Sequence, residues 1–202
     1  TKAYQEKGFN GRDTRFRVKV QLGYNSDAGN VNASINYIFG SGDTLNSFVG
    51  TTLSKDPFFY DTDQFSQLGL SFGWQFAENV SLNAAYNEVW YNARYDTSVL
   101  GVQMVEEGDT ARARSWMAAL LFDDILFENS KIGLAVGNVP HVYENSSAWG
   151  TDDAPLAFET WLNWDVSDYI SVQPGVFLLT NSDGLDDGGT DWGMTFRTYL
   201  KF

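Results

Sequence analysis

The sequence predicts an all-β fold, an antiparallel β-barrel that crosses a membrane with its strands. Three observations predict it. Apolar and polar residues alternate in one run of about 10 residues after another, so each run has a greasy face and a polar face. The connections between runs alternate short, long, short, long. The final stretch, TDWGMTFRTYLKF, is itself amphipathic and ends on an aromatic residue.

Composition narrows the function classes. The 202 residues carry 13 Lys and Arg against 26 Asp and Glu, a net charge of -13. That argues against nucleic acid as a partner, because phosphates need a basic surface. Aromatics make up 16% of the chain, with 19 Gly and only 4 Pro, which suits long strands. There is no Cys, hence no disulfide framework and no thiolate metal site. No run approaches the ~18 apolar residues of a membrane helix, a test that is blind to barrels. The opening TKAYQEKGFNGRD lacks an apolar stretch, so a targeting segment is expected upstream or already removed.

Taken in order, residues 1–13 read as loop. Phe16, Val18, Val20, Leu22 and Tyr24 then alternate with Arg15, Arg17, Lys19, Gln21 and Gly23. A polar NSDAGN turn leads to Val31, Ala33, Ile35, Tyr37 and Phe39, which makes a hairpin. Gly40 to Gln64 reads as a long loop. Leu68, Leu70, Phe72, Trp74 and Phe76 form the next apolar face, opposite Gln67, Gly69, Ser71, Gly73 and Gln75. A tight AEN turn joins it to Val80, Leu82, Ala84 and Tyr86.

A second long loop is expected from Tyr91 to Thr110. Trp116, Ala118, Leu120 and Phe122 follow, then a short connection, then Ile132, Leu134 and Val136. The chain from Pro140 to Ala154 reads as a third long loop, with His141 in it. Leu156, Phe158, Thr160, Leu162, Trp164 and Val166 face away from Ala157, Glu159, Trp161, Asn163 and Asp165. An SDY turn leads to Ile170, Val172, Val176 and Leu178, with Pro174 weakening the ladder. The acidic loop NSDGLDDGG precedes the last strand.

This sorting of connections matches a barrel with tight turns on the periplasmic side and long loops outside. Greek-key sandwiches mix long and short connections. A strand of about 10 residues, rising ~3.3 Å each and tilted by ~40°, covers the ~25 Å apolar band. The last strand then runs inwards from outside. Counting back gives about nine strands, an odd number, whereas single-chain bacterial barrels have an even one. Either one strand is misread, or residues 1–202 are the C-terminal portion of a larger single barrel domain; the second is the reading adopted.

The later strands carry a family resemblance. KIGLAVGNVPHVYENSS, LAFETWLNWDVSDYISVQPGVFLLTN and WGMTFRTYLKF resemble the C-terminal end of the carbohydrate-selective porin family. They are most similar to cyanobacterial outer-membrane porins bearing an S-layer-homology domain. The matching features are G-x-x-P at Gly137–Pro140, the ISVQPG run at Ile170–Gly175, and Arg197, Thr198 and Phe202 at the end. The resemblance covers Lys131 to Phe202; upstream, only the architecture agrees. It implies a diffusion channel in the outer membrane, in contact with lipid and lipopolysaccharide, and usually a homotrimer. It also implies a full barrel of about 16 strands. A domain absent from this sequence would grip the peptidoglycan. Sugars, or inorganic ions and small solutes, are the implied cargo.

In a channel the chemistry is selectivity, set by charges on the lumen wall and by an inward loop. The candidate pore-lining residues are Arg15, Arg17, Lys19, Gln67, Gln75, Glu159, Arg197 and Lys201. The basic ladder of the first strand reads equally well as a solvated face balanced by acids. The candidate constriction loop carries Asp43, Lys55, Asp56, Asp61 and Asp63. Trp74, Trp90, Tyr91, Trp164, Tyr169, Trp192 and Phe202 lie near expected strand ends and read as membrane-interface aromatics. The acidic stretch 181–191 lacks the spaced ligands of an EF-hand and reads as a solvated loop rather than a Ca²⁺ site. One His without Cys gives no zinc set, and no catalytic motif, metal site or cofactor fingerprint is present. The competing readings are a non-channel barrel (adhesin, receptor or cell-wall anchor) and a soluble carbohydrate-binding β-sandwich.

Overall fold

The computed structural model describes residues 16–41, 50–58, 62–182, 184–185 and 188–201, with Thr62 and Asp63 described by their backbone only. It is all-β apart from one helical turn. The strands are β1 (Phe16–Asn25), β2 (Val31–Ser41), β3 (Thr62–Ala77), β4 (Val80–Ala93), β5 (Thr97–Val99) and β6 (Val102–Val105). They continue with β7 (Thr110–Asp123), β8 (Ser130–Asn145), β9 (Leu156–Ser167), β10 (Ile170–Thr180) and β11 (Thr190–Leu200). The helical turn α1 is Thr52–Lys55.

Nine strands form one antiparallel meander in the order β1-β2-β3-β4-β7-β8-β9-β10-β11. The sheet is open, with β1 and β11 at its two edges. The short connections 26–30, 78–79, 124–129 and 168–169 all lie at one end, and the long ones at the other. Turn chemistry explains the short end. In the first turn Gly29 takes φ 71° and donates to Ser26 O at 2.8 Å. Asp124 and Asn129 supply the left-handed residues of the third, a conformation their short polar side chains tolerate.

The structure departs from the sequence expectation at three of the long connections. The Gly40–Gln64 loop contains α1, and β3 begins at Thr62. β4 continues to Ala93, and the loop after it holds the β5–β6 hairpin. β8 runs through Pro140 to Asn145, which places His141 in a strand, buried, rather than in a loop. The reason is a pair of β-bulges. Opposite Arg112 and Ala113 the partner steps from Glu144 to Val142, and opposite Arg114 and Trp116 from His141 to Asn138. Each step inserts one residue into β8, so the strand accommodates a proline that cannot donate to the ladder.

Alternation sorts side chains as the sequence predicts. Across the sheet Tyr37 pairs with Val20 and Leu68, Leu82 with Trp74 and Leu120, and Leu134 with Leu120 and Thr160. This face is exposed: Leu22 is 68% accessible, Met194 72% and Phe196 71%. The buried cluster lies elsewhere, at the long-loop end on the polar face. Leu53 and Phe58 of the segment around α1 pack there with Phe65, Val89, Tyr91, Ala111, Ala113 and Val142.

Candidate functional site

The polar face is built row by row through the strand register. One row runs Lys19, Ile38, Gln67, Val89, Ala113, Val142. Another runs Gln75, Ser81, Leu121, Gly133, Trp161, Gly175, Thr195. Arg17, Lys19, Gln67, Gln75, Glu159 and Arg197, the described candidates within the strands, therefore share one face of the sheet. Lys201 follows β11 in the same alternation, exposed, with its backbone N–H on Tyr169 O at 2.9 Å. Arg15 lies outside the described residues.

Small residues on this face make room for large ones. Trp161 lies across Gly133, and a methyl group there would overlap its indole ring. Phe177 covers Gly193 in the same way, with ring atoms 2.6 Å from where a Cβ would stand. On β3, Gly69 and Gly73 let Asn36 and Asn87, and Asn32 and Asn83, fold their amides over the strand.

The segment around α1 folds onto this polar face. Thr51 caps the turn, its Oγ1 accepting from Ser54 N at 3.1 Å. Thr51 N donates to Pro140 O at 2.9 Å, a carbonyl in the bulged part of β8. Thr51 Oγ1 also donates to Asp152 Oδ2 at 2.5 Å, and the same oxygen accepts from Val142 N at 2.8 Å. Tyr91 Oη donates to Ser54 O at 2.7 Å. Gly50, at φ 117°, sits where a side chain would strike Ser54 Oγ and Pro140.

Of the predicted constriction residues, Lys55 is exposed and Asp56 half-buried on this segment. Asp43, Asp61 and the side chain of Asp63 lie outside the described residues.

A groove runs beneath Lys55. Its first part, about 230 Å³, is walled by Ser54, Lys55, Gln67, Asn87, Ser115 and Pro140. Its second part, about 380 Å³, shares Asn87, Ser115 and Pro140 and extends to Met117, Glu159 and Trp161. Gln67 Nε2 donates to Asn87 Oδ1 at 3.4 Å within it. Amides and a hydroxyl line the middle, with a cation at one end and a carboxylate at the other. Such a lining exchanges hydrogen bonds with water or a small polar solute. Among the described residues no three His, Asp or Glu side chains gather to hold a metal ion.

The interface aromatics divide. Trp74 is 43% exposed, Tyr169 67% and Trp192 69%, all on or beside the apolar face. Trp164 stacks on Phe127 at 4.7 Å near the short-turn end. Trp90 lies on the same apolar side, with the Arg112 guanidinium 6.0 Å from its ring. Tyr91 departs from the expectation. It is 3% exposed, on the opposite face, and it anchors α1. Its odd position in β4 assigns it to the polar side once the strand extends to Ala93. Phe202 lies outside the described residues.

Spacing did not reveal a polar cluster on the apolar side at the long-loop end. Glu88 accepts from the Tyr86 and Tyr143 hydroxyls and from Arg112 Nη2, the last at 2.5 Å. Arg112 Nη1 also reaches Glu144 at 3.3 Å. The Arg114 guanidinium lies 4.5 Å from the Tyr143 ring centroid.

No protein-family model matches the chain, and no curated protein matches its sequence. The porin resemblance of Lys131 to Phe202 rests on its motifs alone.

Proposed function

We propose that this sheet is part of the wall of an outer-membrane β-barrel, enclosing a water-filled channel for passive diffusion of small solutes and ions. The observation that carries the reading is the exposed apolar face. Nine strands at ~4.8 Å spacing make it about 40 Å wide. From Leu68 to Phe76 it is about 26 Å long measured along the strand, at ~3.3 Å per residue. The product, on the order of 1,000 Å², exceeds the ~300–600 Å² that a soluble monomer leaves bare. Tilted by ~40°, a run of that length spans about 20 Å, most of the ~25 Å apolar band of a membrane barrel.

A soluble sandwich would need a second sheet over this face. Among the described residues the remaining strands are only the β5–β6 hairpin. In hydrocarbon every backbone polar group needs a partner, so the reading includes further strands that close β1 to β11. The opposite face suits a lumen. It is polar, and the α1 segment folds onto it at the level of Arg17 and Lys19, where it would narrow a channel. With Lys55, these residues favour anions at that level.

Reconstitution of the full-length protein into planar bilayers tests the proposal. Stepwise conductance that grows with salt concentration is the expected result. Insertion without any conductance would leave a barrel that is not a channel, and a soluble monodisperse protein without detergent would overturn both.

A further inference from the structure

The polar cluster on the lipid-directed side has no use in a channel wall, and it sits where the apolar face ends. On β7 the same-side residues run Phe122, Leu120, Ala118, Trp116, Arg114, Arg112. Trp116 is exposed, and Arg114 lies about 7 Å further along the strand at ~3.3 Å per residue. This is the level where amphipathic rings meet lipid headgroups, and Tyr86, Trp90, Trp116 and Tyr143 surround it.

The charges at this rim are unevenly matched. Arg112 holds both nearby carboxylates, Glu88 and Glu144. Both oxygens of Glu88 are taken, one by Arg112 and Tyr143 and the other by Tyr86. Arg114 stands directly across from Glu88 in the register, yet its guanidinium lies over the face of Tyr143. It is exposed and pairs with no carboxylate among the described residues. The tyrosine ring fixes the guanidinium without using its N–H donors. A planar fork held by a ring, with open donors, matches the oxygens of a phosphate.

We propose that Arg114, braced by Tyr143 and flanked by Arg112, binds the phosphate of a membrane lipid headgroup whose acyl chains lie along Trp116 and Leu120. The proposal rests on the membrane-barrel reading. It adds a lipid-binding site on the outer wall to the channel lining.

The test uses full-length protein purified in a neutral detergent. Phosphatidic acid and diacylglycerol with the same chains, which differ only in the phosphate, are offered together and the retained lipid is counted by native mass spectrometry. Wild type is expected to retain phosphatidic acid preferentially. Arg114→Ala is expected to lose at least about tenfold of that preference, and Arg114→Lys to keep part of it, as for a charge-assisted bond. Unchanged preference in Arg114→Ala would overturn the proposal, and so would full displacement by an equal concentration of inorganic phosphate. Bilayer conductance of the wild type is measured beside it. A conducting protein without lipid preference sinks only the lipid site, whereas a protein that neither inserts nor conducts sinks the barrel reading beneath it.

Discussion

Thr51 Oγ1 and Asp152 Oδ2 share a 2.5 Å hydrogen bond across 101 residues of chain. The bond ties the helical turn on the polar face to the connection between β8 and β9. Asp152 Oδ2 also accepts from Val142 N. Asp153 N donates to Gly184 O at 2.9 Å in the connection before β11. Three long connections thus meet around Asp152 and Asp153, and the Asp152 carboxylate is one of the contacts that hold α1 over the polar face.

Replacing Asp152 with Ala leaves Val142 N, on a fully buried residue, without its acceptor. An unsatisfied buried donor costs about 1–3 kcal/mol. The expected outcome is a lower thermal midpoint and faster proteolysis within residues 50–58, with the sheet retained by circular dichroism. With α1 narrowing the channel, single-channel conductance is also expected to rise.

Tyr91→Phe removes only the hydroxyl that bonds Ser54 O. Both groups are buried, so a loss of about 1–3 kcal/mol is expected without a cavity. Tyr91→Ala also empties ring volume beside Phe65 and Leu53, and it is expected to cost about 3–5 kcal/mol. Denaturant unfolding distinguishes the two.

Gly133→Ala forces the Trp161 indole off β8. Overpacking of this kind costs about 1–3 kcal/mol. A shift in tryptophan emission is expected, and Trp161→Phe in the same background should recover part of the stability.

Arg17→Glu with Lys19→Glu reverses the charge of the exposed β1 ladder beside the inward segment. The expected result is a reversal potential in a salt gradient that moves towards cation preference. An unchanged potential would remove β1 from the lumen wall.

How much of this was legible depended on the range of the signal. Alternation is local, so Leu68 to Phe76 and Leu156 to Val166 declared their faces directly. The short turns carried their own chemistry at Gly29, Asp124 and Asn129. Long-range register was not legible. Glu88 and Arg112 are joined across the β5–β6 connection, and no spacing rule sets how β4 and β7 slide past each other. Tyr143 reaches Glu88 only because a bulge adds a residue to β8. The same bulged segment hid the strand through Pro140, since a proline beside a histidine reads as loop. The β5–β6 hairpin was hidden by its turn, where Leu100 takes φ 52°, a conformation few would assign to leucine.

The central claim is that one face of this sheet meets lipid and the other meets water. The chain has no Cys, so single cysteines introduced at positions 81–86 of β4 are unique spin-labelling sites. In reconstituted bilayers, labels at Leu82, Ala84 and Tyr86 should collide with dissolved oxygen, and labels at Ser81, Asn83 and Ala85 with a water-soluble nickel chelate. This period-two exchange is the predicted result. Equal access of the chelate to all six positions would contradict the account.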